Sequence, residues 1–155
     1  VLNIGPSELI WELLDIEKVI IKPEENVYNL RNGRHVYLID KAARYIEKNY
    51  RQELTLEEVA RLIYYSPCHF SHVFKQIKSC SFSKYLTHVR IEQAKSLLTS
   101  TDFQISQIAK LVGYRDVRYF CTVFKQNTNS TPTNFRYKHL MNKFKEPRSS
   151  EGTPG

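Results

Sequence analysis

A stretch of this chain occurs twice. Val73-Phe74-Lys75-Gln76 returns fifty positions later as Val123-Phe124-Lys125-Gln126, and Phe70 returns as Phe120. Upstream the offset is forty-nine: Val59-Ala60-Arg61-Leu62-Ile63 becomes Ile108-Ala109-Lys110-Leu111-Val112. One residue is therefore inserted in the second copy, within Gly113-Tyr114-Arg115-Asp116. Matched residues on both sides of one insertion mark an internal duplication. Two copies are too few for a stacked solenoid, so the chain must build two similar small units instead.

Each copy reads as helix, turn, helix. In the first, Thr55-Leu56-Glu57-Glu58 is a capping box in which Thr and Glu can each satisfy the other's backbone N–H. The helix that follows carries Leu56, Val59, Ala60, Leu62 and Ile63 and breaks at Tyr64-Tyr65. Ser66-Pro67 restarts a helix, with Ser as N-cap and Pro at the first position, where its missing N–H costs nothing. Two helices across so short a turn have helix-turn-helix spacing. In the second copy Gly113 suits a turn position with positive φ.

Ahead of the first copy, Val36, Ile39, Ala42, Ala43, Ile46 and Tyr50 lie on one helical stripe. Between the copies, residues 82–98 (FSKYLTHVRIEQAKSLL) form an unbroken amphipathic stretch, with Tyr85, Leu86, Val89, Ala94, Leu97 and Leu98 as its apolar face. At 1.5 Å per residue it makes a rod of roughly 25 Å, somewhat under the ~34 Å between successive major-groove faces of B-DNA. Such a rod could hold two reading heads on one side of a duplex. Farther upstream, residues 7–22 carry an apolar stripe of Leu9, Ile10, Leu13, Leu14, Ile20 and Ile21, capped by Ser7 and stopped by Pro23. Residues 22–34 are polar, contain the turn pair Asn32-Gly33 and read as a linker. The expected architecture is all-α: about seven helices in two helix-turn-helix subdomains joined by a linker helix, plus the N-terminal amphipathic helix. The expected boundaries are 1–34 for the helix and linker, 35–82 for the first subdomain and 83–99 for the connecting helix. The second subdomain is expected at 100–140, followed at 141–155 by a basic and then disordered tail.

Charge sharpens the functional reading. Residues 1–34 hold four Lys and Arg against six Asp and Glu, whereas residues 35–155 hold 19 against 10. The duplicated part is thus the part that would dock on a polyanion. Cys68, Cys80 and Cys121 form no CxxC pair, and an odd count points to reduced thiols and a cytoplasmic setting. No apolar run approaches a membrane span of roughly 20 residues, and no signal peptide is visible.

The second helix of each copy buries one stripe and offers the other. In the first copy Phe70, Val73, Phe74 and Ile77 face inward, and Cys68, Ser71, His72 and Lys75 face outward. In the second, Phe120, Val123 and Phe124 face inward, and Arg118, Cys121, Thr122 and Lys125 face outward. Residues near the N-terminal end of such a helix are the usual base readers. Arg118 has the fork that matches guanine O6 and N7. Ser71 and Thr122 can exchange hydrogen bonds with base edges, His72 can donate to a base or phosphate, and Val117 can make apolar contact. Lys75 and Lys125 suit phosphates. His69, in the place of Tyr119, reads as a packing residue.

Other chemistries fit less well. Cys68, His69 and His72 resemble a zinc corner, but a structural zinc site takes four ligands and no second pair is placed to supply them. A Cys–His nucleophile lacks an orienting third group. No catalytic residue, metal or cofactor is expected. A protein-binding module should expose an apolar stripe, and an RNA reader should show aromatic platforms. These faces are small, polar and basic, which favours double-stranded DNA.

At residues 35–140 the chain resembles the DNA-binding domain of the AraC/XylS family of bacterial transcription regulators. The resemblance rests on Ala43-x-Tyr45-Ile46-Glu47, Leu56-Glu57-Glu58-Val59-Ala60 and Phe70-Ser71-x-x-Phe74-Lys75. It continues through Ser81-Phe82-Ser83-x-Tyr85-Leu86, Arg90-Ile91-Glu92-x-Ala94 and Leu97-Leu98. It ends with Ile108-Ala109-x-x-Val112-Gly113-Tyr114, Tyr119-Phe120-x-x-Val123-Phe124-Lys125 and Thr131-Pro132-x-x-Phe135-Arg136. The resemblance implies two helix-turn-helix units binding adjacent major-groove segments. It implies a sensing or dimerising region elsewhere in the protein, with residues 1–22 as its end. It also implies RNA polymerase as a partner and self-association through that upstream region. The chain departs from the family in three places. Ser79 stands where the turn usually has Gly. His72 and Thr122 stand at a DNA-facing position that is often Arg.

Overall fold

The structure, a computed structural model, describes residues 23–145, with side chains from residue 32 onward. Seven helices and no strand occur among the described residues: α1 Pro23–Asn49, α2 Leu56–Leu62, α3 Pro67–Lys78, α4 Phe82–Ser100, α5 Ile105–Leu111, α6 Val117–Thr128 and α7 Pro132–Lys145. The all-α expectation holds. The expected helix at 7–22 and the tail at 146–155 lie outside the described residues.

Two expectations need correction. Residues 23–34 are helical where a turn at Asn32-Gly33 was expected: α1 starts at Pro23 and runs unbroken through that pair. Proline at a first helical position is tolerated, and Pro23 opens this helix. Gly33 has open space around its α-carbon and costs the helix about 1 kcal/mol relative to Ala, which is not enough to break it. At the other end, residues 141–145, the basic start of the expected tail, continue α7 as helix.

The described part from Tyr37 onward is one compact unit with one apolar core. Ile39, Ala42, Ile46 and Tyr50 bring α1 into it, although Val36, expected on the same stripe, is exposed. From α2 come Val59 and Ala60, with Ile63 just beyond; Leu62, also expected inside, lies outward. The two copies supply matched aromatic pairs. Phe70 and Phe74 sit 5.2 Å apart by ring centroid, Phe120 and Phe124 5.8 Å apart, and all four are fully buried. Phe74 meets Tyr85 edge-on at 84°, and Phe124 meets Phe135 edge-on at 81°. Losing any of these four phenylalanines to Ala would remove about 3–5 kcal/mol.

Helix α4 is the spine. It packs against α3 on one side and α5, α6 and α7 on the other. Phe82, Leu86, Ile91, Ala94 and Leu98 are its buried positions. Ile91 was not on the expected stripe, which the helix's drift toward two sets of neighbours explains. Its 19 residues make a rod of about 28 Å.

Candidate DNA interface

Local chemistry sets the start and end of each second helix. Ser66 caps α3 by accepting from the His69 N–H at 3.3 Å, and Asp116 caps α6 by accepting from the Tyr119 N–H at 2.8 Å. Carboxylate and hydroxyl caps of this kind contribute on the order of 1 kcal/mol. Both helices end on a residue in the left-handed region, Ser79 at φ 59° and Asn129 at φ 56°. The first helices are fixed by equivalent caps. Glu58 accepts from the Thr55 N–H at 3.0 Å and Thr55 from the Glu58 N–H at 3.2 Å. In the second copy Gln107 accepts from the Gln104 N–H at 2.9 Å. The hydrogen bond from Thr55 holds the Glu58 carboxyl below its ordinary range.

The exposure of these faces can be compared with the expected outward stripes. Cys68, Ser71, His72 and Lys75 are exposed on α3, and Arg118, Thr122 and Lys125 are exposed on α6. The Thr122 hydroxyl donates to the Arg118 carbonyl one turn back, at 3.1 Å, so it turns its methyl and lone pairs outward. Cys121, expected on the outward face, is half-buried against the core, and so is Val117, which was expected to make apolar contact. The position i+3 from Arg118 falls at the edge of the buried stripe, where neighbouring helices decide exposure. Burial pushes the Cys121 thiol up, away from the thiolate form.

Several exposed residues were not foreseen. His69 is exposed and packs its ring on Tyr65 at 4.5 Å, as the exposed Tyr119 packs on Tyr114 at 6.0 Å. Arg61 and its counterpart Lys110 put a cation on the outer side of each first helix. The repeat alignment alone could have shown that pair, since basic character is kept while identity changes. Tyr64 is 97% exposed at the turn of the first copy and holds φ 58°. Among the described residues, no group of three His, Cys, Asp or Glu side chains gathers as a metal site would. No described helix is long and apolar enough to cross a membrane.

Two helix-turn-helix units on one spine, each offering a polar and basic helix face, define a DNA-binding helix-turn-helix protein. A family model described as a helix-turn-helix domain matches residues 59–138. The chain is 34% identical over 119 residues to the HTH-type transcriptional regulator YijO of Escherichia coli, covering 77% of this chain and 42% of that protein. It is similar to the C-terminal domain of AraT, a response regulator of Geobacillus stearothermophilus: 39% identity, TM-score 0.63, 65% of this chain and 84% of that one. A Chromobacterium violaceum transcriptional regulator with an AraC-type DNA-binding domain aligns at 25% identity and TM-score 0.63, over 66% of this chain and 91% of that one. The chain belongs to the AraC family of helix-turn-helix transcription regulators. It spans less than half the length of YijO.

Proposed function

We propose that this chain binds double-stranded DNA in a sequence-specific way and regulates transcription, with α3 and α6 entering adjacent segments of the major groove. The observation that carries this reading is the paired presentation. Two equivalent helices bury their aromatic stripes in a shared core and turn Ser71, His72 and Lys75, and Arg118, Thr122 and Lys125, to solvent. Arg118, the second residue of α6, carries the fork that matches guanine O6 and N7. Ser71 and His72 read the other half-site, and Thr122 offers its methyl to thymine. Lys75 and Lys125, a turn or more farther along, meet phosphates, as do Arg61 and Lys110. Cys68 stands at the groove edge, while Val117 and Cys121 support α6 from behind. RNA polymerase and self-association through a sensing region belong to this reading as further partners, and the cytoplasm is the compartment it implies.

The test is a pair of substitutions. Arg118→Ala should cost about 1–3 kcal/mol on the preferred duplex and far less on unrelated duplex. Lys125→Ala should weaken both alike. An equal loss on both duplexes for Arg118→Ala would make that side chain a phosphate contact and remove the base reading assigned to it.

A further inference from the structure

Away from the recognition faces, the two helix-turn-helix units meet at a small polar joint. Residues 50–53, which lead into the first unit, lie against Gly113-Tyr114-Arg115, the turn of the second. Arg90 of the spine sits between them. Its Nε donates to the Tyr50 carbonyl and its Nη2 to the Gln52 carbonyl, both at 2.8 Å. Its guanidinium also lies 5.3 Å over the Tyr114 ring. Arg115, the residue inserted in the second copy, pairs with Glu53 at 2.8 Å. Gly113 makes the closest approach. A methyl on its α-carbon would stand 2.9 Å from the Tyr50 carbonyl oxygen, 3.0 Å from that of Arg51 and 3.1 Å from Arg90 Cζ.

The duplication supplies an internal control. Tyr64 occupies the place of Gly113 in the first copy, also at positive φ, with its side chain in solvent. The turn therefore accepts a side chain, even a large one. Glycine in the second copy answers two demands that Tyr64 does not meet: a wider φ of 93°, and the close approach of the other unit. Beside the joint the surface opens into a cleft lined by Arg51, Leu54, Leu86 and Lys110. At this point the registration of the two units rests on a few directed contacts and on the absence of a Cβ.

We infer that Gly113 and Arg90 are positioning residues that fix the spacing of the two recognition helices, and so set the number of base pairs between the two DNA segments read. This rests on the two-groove reading above. One base pair moves a segment by about 3.4 Å and turns it by roughly 35°, which a rigid joint cannot follow. A loosened joint can.

The test measures affinity for duplexes in which the two half-sites are moved apart or together by one and two base pairs. The wild-type chain should lose about tenfold or more per base pair of displacement. Gly113→Ala should lose less than about threefold on the displaced sites while binding an isolated half-site as the wild type does. Arg90→Lys keeps the charge but loses the planar fork whose Nε and Nη2 each reach a separate carbonyl, and should act in the same direction. Tyr64→Gly should leave the spacing preference unchanged. If Gly113→Ala fails to fold, Arg90→Lys decides the matter. Spacing preference as strict as wild type in the folded variants would overturn the role of the joint. A wild-type chain indifferent to spacing would instead overturn the two-groove reading.

Discussion

Ser79 and Asn129 end the two recognition helices at nearly the same left-handed φ, 59° and 56°. Asn tolerates that region through local hydrogen bonding, whereas Ser meets more of the ordinary Cβ penalty. Ser79→Gly should therefore stabilise the protein by about 1 kcal/mol or less, the relieved strain being partly offset by the freer unfolded chain. Thermal melts should show a rise of a few degrees, and a clear fall would mean that the serine is unstrained. Gly113 is also at positive φ, 93°, and there the carbonyls of Tyr50 and Arg51 add a second constraint. Sequence suggested a positive φ at Gly113 from its turn position. It carried no sign of that contact, which joins segments sixty residues apart. The half-burial of Cys121 was hidden for a related reason: helical spacing places it at a stripe edge, and only the packed neighbours decide which side it joins.

At the scale of elements, what was legible in the sequence was what is local. The capping box at Thr55 and Glu58 and the Ser66-Pro67 restart follow from neighbouring residues, and the structure shows them. The start of α1 was misread because Pro23 and Asn32-Gly33 carry two meanings. Proline closes one helix as readily as it opens the next, and one glycine weakens a long helix without ending it. The cap at Glu58 makes a pH prediction. Its carboxyl is held below the ordinary range by accepting from the Thr55 N–H, so the stabilisation is present above that range. It is lost as pH falls through the ordinary carboxyl range and below it. Glu58→Gln keeps an acceptor but removes the titration. The acid limb of its melting-temperature profile should be shallower than that of the wild type, and superimposable limbs would show that the cap contributes nothing in acid.

For the whole molecule, the charge of residues 35–155 and the two exposed helix faces make one statement: both units engage a polyanion together. Neutralised phosphates release counterions, so affinity for duplex DNA should fall steeply with salt. A log–log slope shallower than about −3 would mean fewer than roughly four phosphates, too few for two units. The most direct measurement is selection of bound sites from a random duplex pool, run with the wild-type chain, with Arg118→Ala, and with a Ser71→Ala/His72→Ala double variant. The wild type should select two blocks of preferred bases about 10–10.5 base pairs apart, centre to centre. Arg118→Ala should blur one block only, and the double variant the other only. A single block from the wild type, or two blocks that neither variant disturbs, would contradict the claim that α3 and α6 each read the groove.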